Sequence, residues 1–185
     1  MRKIFFSLFI FFLFTTTSFA KETVYLKCPE IIKEVRSSKG LRANQKLVKG
    51  GEVNRNYTKI IISKSSSRVT MYGYSMIMSV SRNGNYKGEK PVKSSVFSNV
   101  KGHIEDGKIT VRHDGSLVEG AVKMTQVESY KFFKKGSNWE FTGMLIAKVF
   151  QGSSETLVFN VAYKVGAKCD LLTKEKFKKI IKKGE

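Results

Sequence analysis

Residues 139–149 (WEFTGMLIAKV) and residues 157–165 (LVFNVAYKV) alternate bulky apolar side chains with smaller or polar ones. Successive side chains of a β-strand point to opposite faces of the sheet, so this alternation predicts two half-buried strands. We expect them to pair with their odd-numbered faces together, with Val149 opposite Leu157 and an odd number of loop residues between them. The apolar residues of that face are Trp139, Phe141, Leu145, Ala147 and Val149, then Leu157, Phe159, Val161, Tyr163 and Val165.

Similar strand patterns and short turns recur through the middle of the chain. Residues 69–80 place bulky apolar side chains at even positions, and Asn83-Gly84, Asp106-Gly107 and Asp114-Gly115 are typical turn sequences. Strands separated by turns, without helical patterns between them, are typical of an antiparallel meander. We therefore predict an all-β fold in which about 7–9 strands form a barrel of lipocalin-like architecture or a sandwich.

The Asp106-Gly107 turn allows a register to be predicted. A two-residue loop pairs Glu105 with Lys108 and places His103 and His113, the only two histidines, on opposite faces of the sheet. They are therefore not expected to bind one metal ion together.

The first twenty residues have the pattern of a secretory signal peptide. Arg2 and Lys3 precede an apolar run, and Ser18-Phe19-Ala20 is a small-x-small cleavage sequence. The apolar run is shorter than the roughly 20 residues that a membrane-spanning helix needs. We predict residues 1–20 to be the signal peptide, 21–172 a single barrel or sandwich domain and 173–185 a basic tail. The protein is then secreted or periplasmic after cleavage near Ala20, and its mature chain has no transmembrane segment.

The two cysteines of the chain, Cys28 and Cys169, are expected to pair in an oxidising compartment. If the first and last strands of the meander are neighbours, the disulfide joins them. No Cys-x-x-Cys sequence is present, which argues against a thioredoxin-like redox role.

The formal charge of +19 is large for 185 residues, and lysine supplies most of it. A field of this sign attracts phosphate, carboxylate and sulfate surfaces. Lysine is a hydrated point charge rather than the bidentate fork that arginine offers to phosphate, so specific nucleic-acid recognition is not expected.

The C-terminal tail is predicted to form a short amphipathic helix. Thr173 can cap it, and Phe177, Ile180 and Ile181 form one apolar stripe. Two interpretations remain open for this stripe: it lies on an anionic membrane, or it packs across one end of the barrel while the lysines face water. The candidate anion or membrane contacts are Lys174, Lys176, Lys178, Lys179, Lys182 and Lys183.

Aromatic residues of the predicted strands are candidates for a barrel interior. Tyrosine hydroxyls that face inward need partners or a wet cavity, which suits an apolar or amphipathic ligand; a filled aromatic core is the alternative. The Gly-x-Trp motif that marks the first strand of lipocalins is absent, so the resemblance is one of architecture alone. The candidates are Tyr72, Tyr74, Tyr130, Phe132, Trp139, Phe141, Phe159 and Tyr163.

The sequence lacks the common signatures of catalysis and cofactor binding. It contains no Gly-x-Ser-x-Gly, no Gly-rich phosphate loop and no cluster with metal-ligand spacing. We therefore expect no cofactor and an exported, non-catalytic binding protein that contacts an anionic envelope component through its lysine-rich surface. The alternatives are a carrier of a lipophilic small molecule inside the barrel and a structural protein that docks onto an envelope complex.

Overall fold

A computed structural model describes residues 21–41, 47–64, 66–73 and 92–182. Within these ranges the chain forms nine β-strands and one α-helix. They are β1 (Glu22–Lys39), β2 (Glu52–Ser63), β3 (Ser66–Gly73), β4 (Val92–Lys93), β5 (Val100–Glu105), β6 (Lys108–Glu119), β7 (Val122–Lys135), β8 (Asn138–Gln151), β9 (Thr156–Leu171) and α1 (Lys174–Lys182). The predicted signal peptide lies outside the described residues.

The strands form a closed antiparallel barrel in meander order. Neighbouring strands pair along the chain, and β1 pairs with β9 to close the sheet. The short strand β4 and strand β5 pair with the same edge of β3, through Tyr72 with Lys93 and Val69 with Val100. They therefore act as two parts of one strand, and the barrel has eight strands in cross-section. The all-β meander and the barrel alternative are confirmed.

The two ends of the barrel follow from this register. The lower end, as we call it, carries the β5–β6 turn at Asp106-Gly107 and the start of β1. The upper end carries the β6–β7 turn at Gly120 and the end of β3 at Gly73. Side chains from every other position of each strand fill the interior between them.

A disulfide joins the first and last strands, as predicted. Cys28 on β1 bonds Cys169 on β9 across 141 positions of sequence, and their Cα atoms are 4.3 Å apart. The neighbouring register pairs Lys27 with Asp170, so the two cysteines are direct cross-strand partners. This Cα separation matches the narrow pairs of an antiparallel ladder, at about 4.5 Å.

The β5–β6 hairpin also has the predicted register. Asp106 and Gly107 both have positive φ, at 48° and 69°, which is the requirement of a type I′ turn. Glu105 pairs with Lys108, and His103 is exposed while His113, on the row of buried Val111, is half-buried.

The pairing of β8 with β9 differs in detail from the expectation. The odd faces lie together, with Leu145 opposite Tyr163, but Val149 lies opposite Phe159 rather than Leu157. The loop at 152–155 has four residues, and a bulge between Val149 and Phe150 adds one unpaired residue on β9. The bulge restores the odd offset that the apolar face requires, since an uncorrected four-residue loop would expose one apolar set.

Helix α1 packs on the outer wall of the barrel. The Thr173 hydroxyl caps it by accepting a hydrogen bond from the Lys176 amide, at 3.2 Å. Phe177 and Ile181 are buried, and outward-facing tyrosines of the first three strands complete the cluster: Tyr25, Tyr57 and Tyr72. The stripe therefore packs on the outer wall rather than across a barrel end, because the tyrosines give it an apolar surface there.

Candidate functional site

The predicted interior aromatics are mostly where the pattern places them. Five of the eight are buried in the main core: Tyr130, Phe132, Trp139, Phe141 and Tyr163. Phe159 is half-buried and packs against that core. The rings of Phe132 and Phe141 stack with centroids 6.2 Å apart. Aromatic side chains of β7, β8 and β9 therefore make up much of the described core.

Tyr72 lies outside the barrel, which corrects its assignment to the interior. On β3 the buried interior positions are Ser67, Val69 and Met71, so the inner row has odd numbers. Tyr72 instead contacts Phe177 of α1, with ring centroids 5.8 Å apart. The even-numbered row of β3 is apolar at Tyr72 because helix α1 covers that outer face, and strand alternation alone does not distinguish it from the barrel interior. Tyr74 lies outside the described residues.

Phe97 is an interior residue that the pattern did not reveal. It sits in the irregular segment between β4 and β5, yet it is only 2% exposed. Its ring meets Tyr130 edge to face at 5.5 Å. Because the segment has no strand periodicity, nothing in its sequence marks this side chain as buried.

A polar network built around Glu30 lies inside the barrel, above the disulfide. Glu30 is 3% exposed and follows Val24, Leu26 and Cys28 on the inner row of β1. The Asn56 amide donates a hydrogen bond to its carboxylate, and the Tyr130 hydroxyl on β7 donates another. Asn54 donates in turn to the Asn56 side-chain oxygen at 3.4 Å. The network therefore crosses the interior from β1 and β2 to β7.

Burial raises the pKa values of the two ionisable groups of this network, Glu30 and Tyr130. Burial raises the pKa of the Glu30 carboxyl from its ordinary 4.5 to about 7, and the nearby Glu128 carboxylate acts in the same direction. Hydrogen bonds from Tyr130 and Asn56 oppose this rise. Burial, followed by the charge of Glu30, raises the pKa of Tyr130 well above 10.0. Glu30 can therefore hold a proton near neutral pH.

Glu128 stands on the same inner row of β7 as Tyr130, opposite His113 of β6. Burial also raises the pKa of its carboxyl, while the Gln126 hydrogen bond and the charge of His113 lower it. One row below Asn56, the hydroxyl of Thr58 is buried and has no hydrogen-bond partner among the described residues.

A cleft with a volume of about 370 Å³ opens at the lower end of the barrel. Its walls come from β2, the β5–β6 hairpin, β7 and β8. The lining residues are Ile62, Ile104, Asp106, Gly107, Lys108, Ile109, Phe133, Lys134 and Trp139.

Lysines dominate the outer face of α1. All five lysines of the described helix are exposed, and Glu175 is the only acid in it. They are Lys174, Lys176, Lys178, Lys179 and Lys182. Lys183 lies outside the described residues.

Neither a metal-binding cluster nor a membrane-spanning helix is present among the described residues. No group of three or more His, Cys, Asp or Glu side chains there could hold a metal ion. Among the same residues, no helix is long and apolar enough to cross a membrane.

Comparisons with known proteins give no relative. No protein-family model matches the chain, and no curated protein and no solved structure is significantly similar to it.

Proposed function

We propose that this chain is an exported, non-catalytic binding protein that contacts an anionic envelope component through its lysine-rich surface. The observation that carries the proposal is α1: its apolar stripe is buried on the barrel wall, and all its described lysines point outward. The five cations are thus presented on a docked helix rather than on a loose tail.

Docking of the helix matters for the strength of binding. A helix of nine residues is marginal in water when it is isolated, so a free tail would have to become ordered as it binds. Contacts of Phe177 with Tyr25 and Tyr72, at ring separations of 4.9 and 5.8 Å, hold α1 in place before any ligand arrives. The lysines therefore form a persistent cationic face, and an anionic surface can bind it without the entropic cost of ordering the helix.

The disulfide supports the export part of the proposal. Disulfides persist in oxidising compartments and are rare in the cytosol. The bond between Cys28 and Cys169 joins the first and last barrel strands. Residues 1–20 have the sequence expected of a signal peptide that would deliver the chain to such a compartment.

The alternative of a lipophilic ligand enclosed in the barrel has less support. The side chains of Tyr163, Phe132 and Phe141 are among the largest fully buried ones, and Phe97 adds a further ring from an irregular segment. These rings take up part of the interior in which an enclosed ligand would lie. Docking onto an envelope complex could use the same lysine face, and no separate observation favours it.

Binding to anionic vesicles tests the proposal. The purified mature protein is mixed with phosphatidylcholine vesicles that contain or lack phosphatidylglycerol, and sedimentation is measured at low and high salt. We expect binding only with the anionic lipid, and a steep loss of binding with salt. No binding to anionic vesicles or to lipopolysaccharide at low salt would overturn the proposal.

Two variants with the same change in charge localise the contact. One replaces the five helix lysines by glutamine (K174Q, K176Q, K178Q, K179Q and K182Q). The control replaces five exposed lysines elsewhere (K49Q, K101Q, K131Q, K135Q and K168Q). A lysine near an anionic membrane contributes about 1 kcal/mol, so the helix variant should lose at least about tenfold in affinity and the control much less. Equal losses would show that the general charge, rather than α1, attracts the membrane.

A further inference from the structure

The cleft at the lower end of the barrel combines an apolar wall with two cations. Its apolar side chains come from five strands, so the pocket is built by the fold rather than by one loop. Its volume of about 370 Å³ falls within the range of small-molecule pockets, about 300–1,000 Å³.

The inner wall of the cleft is rigid and apolar. Trp139 and Ile109 are 6% and 3% exposed, so the core fixes their positions. Ile104 pairs with Ile109 across the β5–β6 hairpin, and Ile62 is contributed by β2. A hydrocarbon chain or ring placed against this wall would be removed from water, which contributes about 25 cal/mol for each Å² buried.

Two lysines stand at the rim of this wall. The Lys134 ammonium lies 5.5 Å from the centroid of the Trp139 ring and 3.6 Å from a Glu22 carboxylate oxygen. Both side chains of that ion pair are more than half exposed, and such pairs contribute little to stability. Lys134 can therefore leave Glu22 for a ligand at small cost. Lys108 is the second cation of the lining, and exposed Asp106 is the only acid among the lining residues that the structure describes.

We propose that this cleft binds a small amphipathic carboxylate, with its apolar body against Trp139 and Ile109 and its carboxylate at Lys134 and Lys108. The apolar wall favours a hydrocarbon body, and the two ammonium groups favour a negative head over a neutral or positive one. The site is separate from α1 and does not depend on the function proposed for the helix lysines.

The fluorescence of the single tryptophan can report on ligand binding in the cleft. Trp139 is the only tryptophan of the chain, so a change of its emission reports on the cleft alone. Dodecanoate is titrated into the purified mature protein below its micelle concentration, beside dodecanol and dodecylammonium, and heat is recorded in parallel by calorimetry. We expect a saturable change with dodecanoate, weaker binding of dodecanol and the weakest binding of dodecylammonium.

Matched variants separate the cleft from general charge. Lys134→Gln should weaken dodecanoate binding at least about tenfold, because a hydrogen bond to a charged group contributes about 1.5–3 kcal/mol. Lys135→Gln, the adjacent exposed lysine outside the lining, makes the same change of charge and should leave binding unchanged. Unaltered melting temperatures of both variants would confirm that they are folded.

The possible results decide the proposal. Saturable dodecanoate binding that Lys134→Gln weakens and Lys135→Gln does not would support it. Absence of saturable binding, equal binding of dodecylammonium, or equal effects of the two variants would overturn it. The five-lysine variant of α1 should still bind dodecanoate, so failure of the cleft and failure of the helix surface are distinguishable.

Discussion

The buried Glu30 carboxyl predicts that the barrel becomes less stable as the pH rises through neutrality. Glu30 is buried, and its pKa of about 7 lies above the ordinary value of 4.5 that it regains on unfolding. The ionisable groups that act on it are Glu128 and Tyr130 of β7; neither supplies a positive charge to compensate its carboxylate. The folded state therefore holds the Glu30 proton more tightly than the unfolded state does.

The sign and size of the effect follow from this difference. Below about pH 4 both states are protonated at Glu30, and the group has no effect on stability. Between the two pKa values the folded state binds more protons, so the free energy of unfolding falls as the pH rises. Above pH 7 the full penalty applies, and the difference between 4.5 and about 7 corresponds to about 3 kcal/mol.

The substitution Glu30→Gln isolates this contribution. Glutamine resembles the protonated acid and can still accept the hydrogen bonds of Asn56 and Tyr130. At about pH 8 the variant should melt about 6–12 °C above the unaltered protein, since 1 kcal/mol shifts the melting temperature of a domain of this size by about 2–4 °C. At about pH 4 the two should melt together.

Thermal unfolding followed by circular dichroism across this pH range measures the effect. Comparison at each pH is needed because Glu34 and Asp114 act in the opposite sense. Hydrogen bonds donated by Lys164 to Glu34 and by Arg112 to Asp114 lower the pKa of these carboxyls, so the stability that they contribute is lost as the pH falls. Glu105→Gln, in the exposed hairpin, is the control and should follow the unaltered protein. If the pH profile of Glu30→Gln runs parallel to that of the unaltered protein, the reasoning is wrong.

Two further predictions concern the disulfide and the helix. Replacing both cysteines by alanine (C28A and C169A) should lower the free energy of unfolding by about 2–5 kcal/mol in a denaturant titration, because the bond closes a long loop; an unchanged midpoint would contradict this. Phe177→Ala should release α1 from the wall, so that trypsin cleaves at its lysines while the barrel stays intact. Leu171→Ala, at a side chain that is 68% exposed, is the matched control, and equal protection of both variants would refute the role of Phe177.

Much of the barrel could be predicted because its information is local. Alternation in 139–149 and 157–165 fixed the inner face of two strands, and Asp106-Gly107 fixed a hairpin register by its turn type alone. The disulfide followed from closure of the meander, which brings the first and last strands together. Each of these inferences needs only neighbouring residues or the order of the strands.

The features that were missed depend on contacts between distant parts of the chain. The outer row of β3 is apolar at Tyr72 because a helix a hundred residues later covers it, and strand alternation cannot distinguish that covered face from the core. The bulge in β9 likewise responds to the register of its partner, since it corrects a four-residue loop that would otherwise turn the apolar row outward.

The sequence of β1 does contain a sign of the Glu30 network. Residues 24–32 place Val24, Leu26, Cys28 and Ile32 on one row of β1, and Glu30 interrupts that row with a charge. A carboxyl on a core row is costly to bury unless partners satisfy it, so the interruption itself indicates a polar network. Its partners could not be identified from pattern, because Tyr130 is a hundred positions away and reaches Glu30 across the interior rather than along a strand. Alternation shows which side chains face inward, whereas only the closed barrel determines which of them meet.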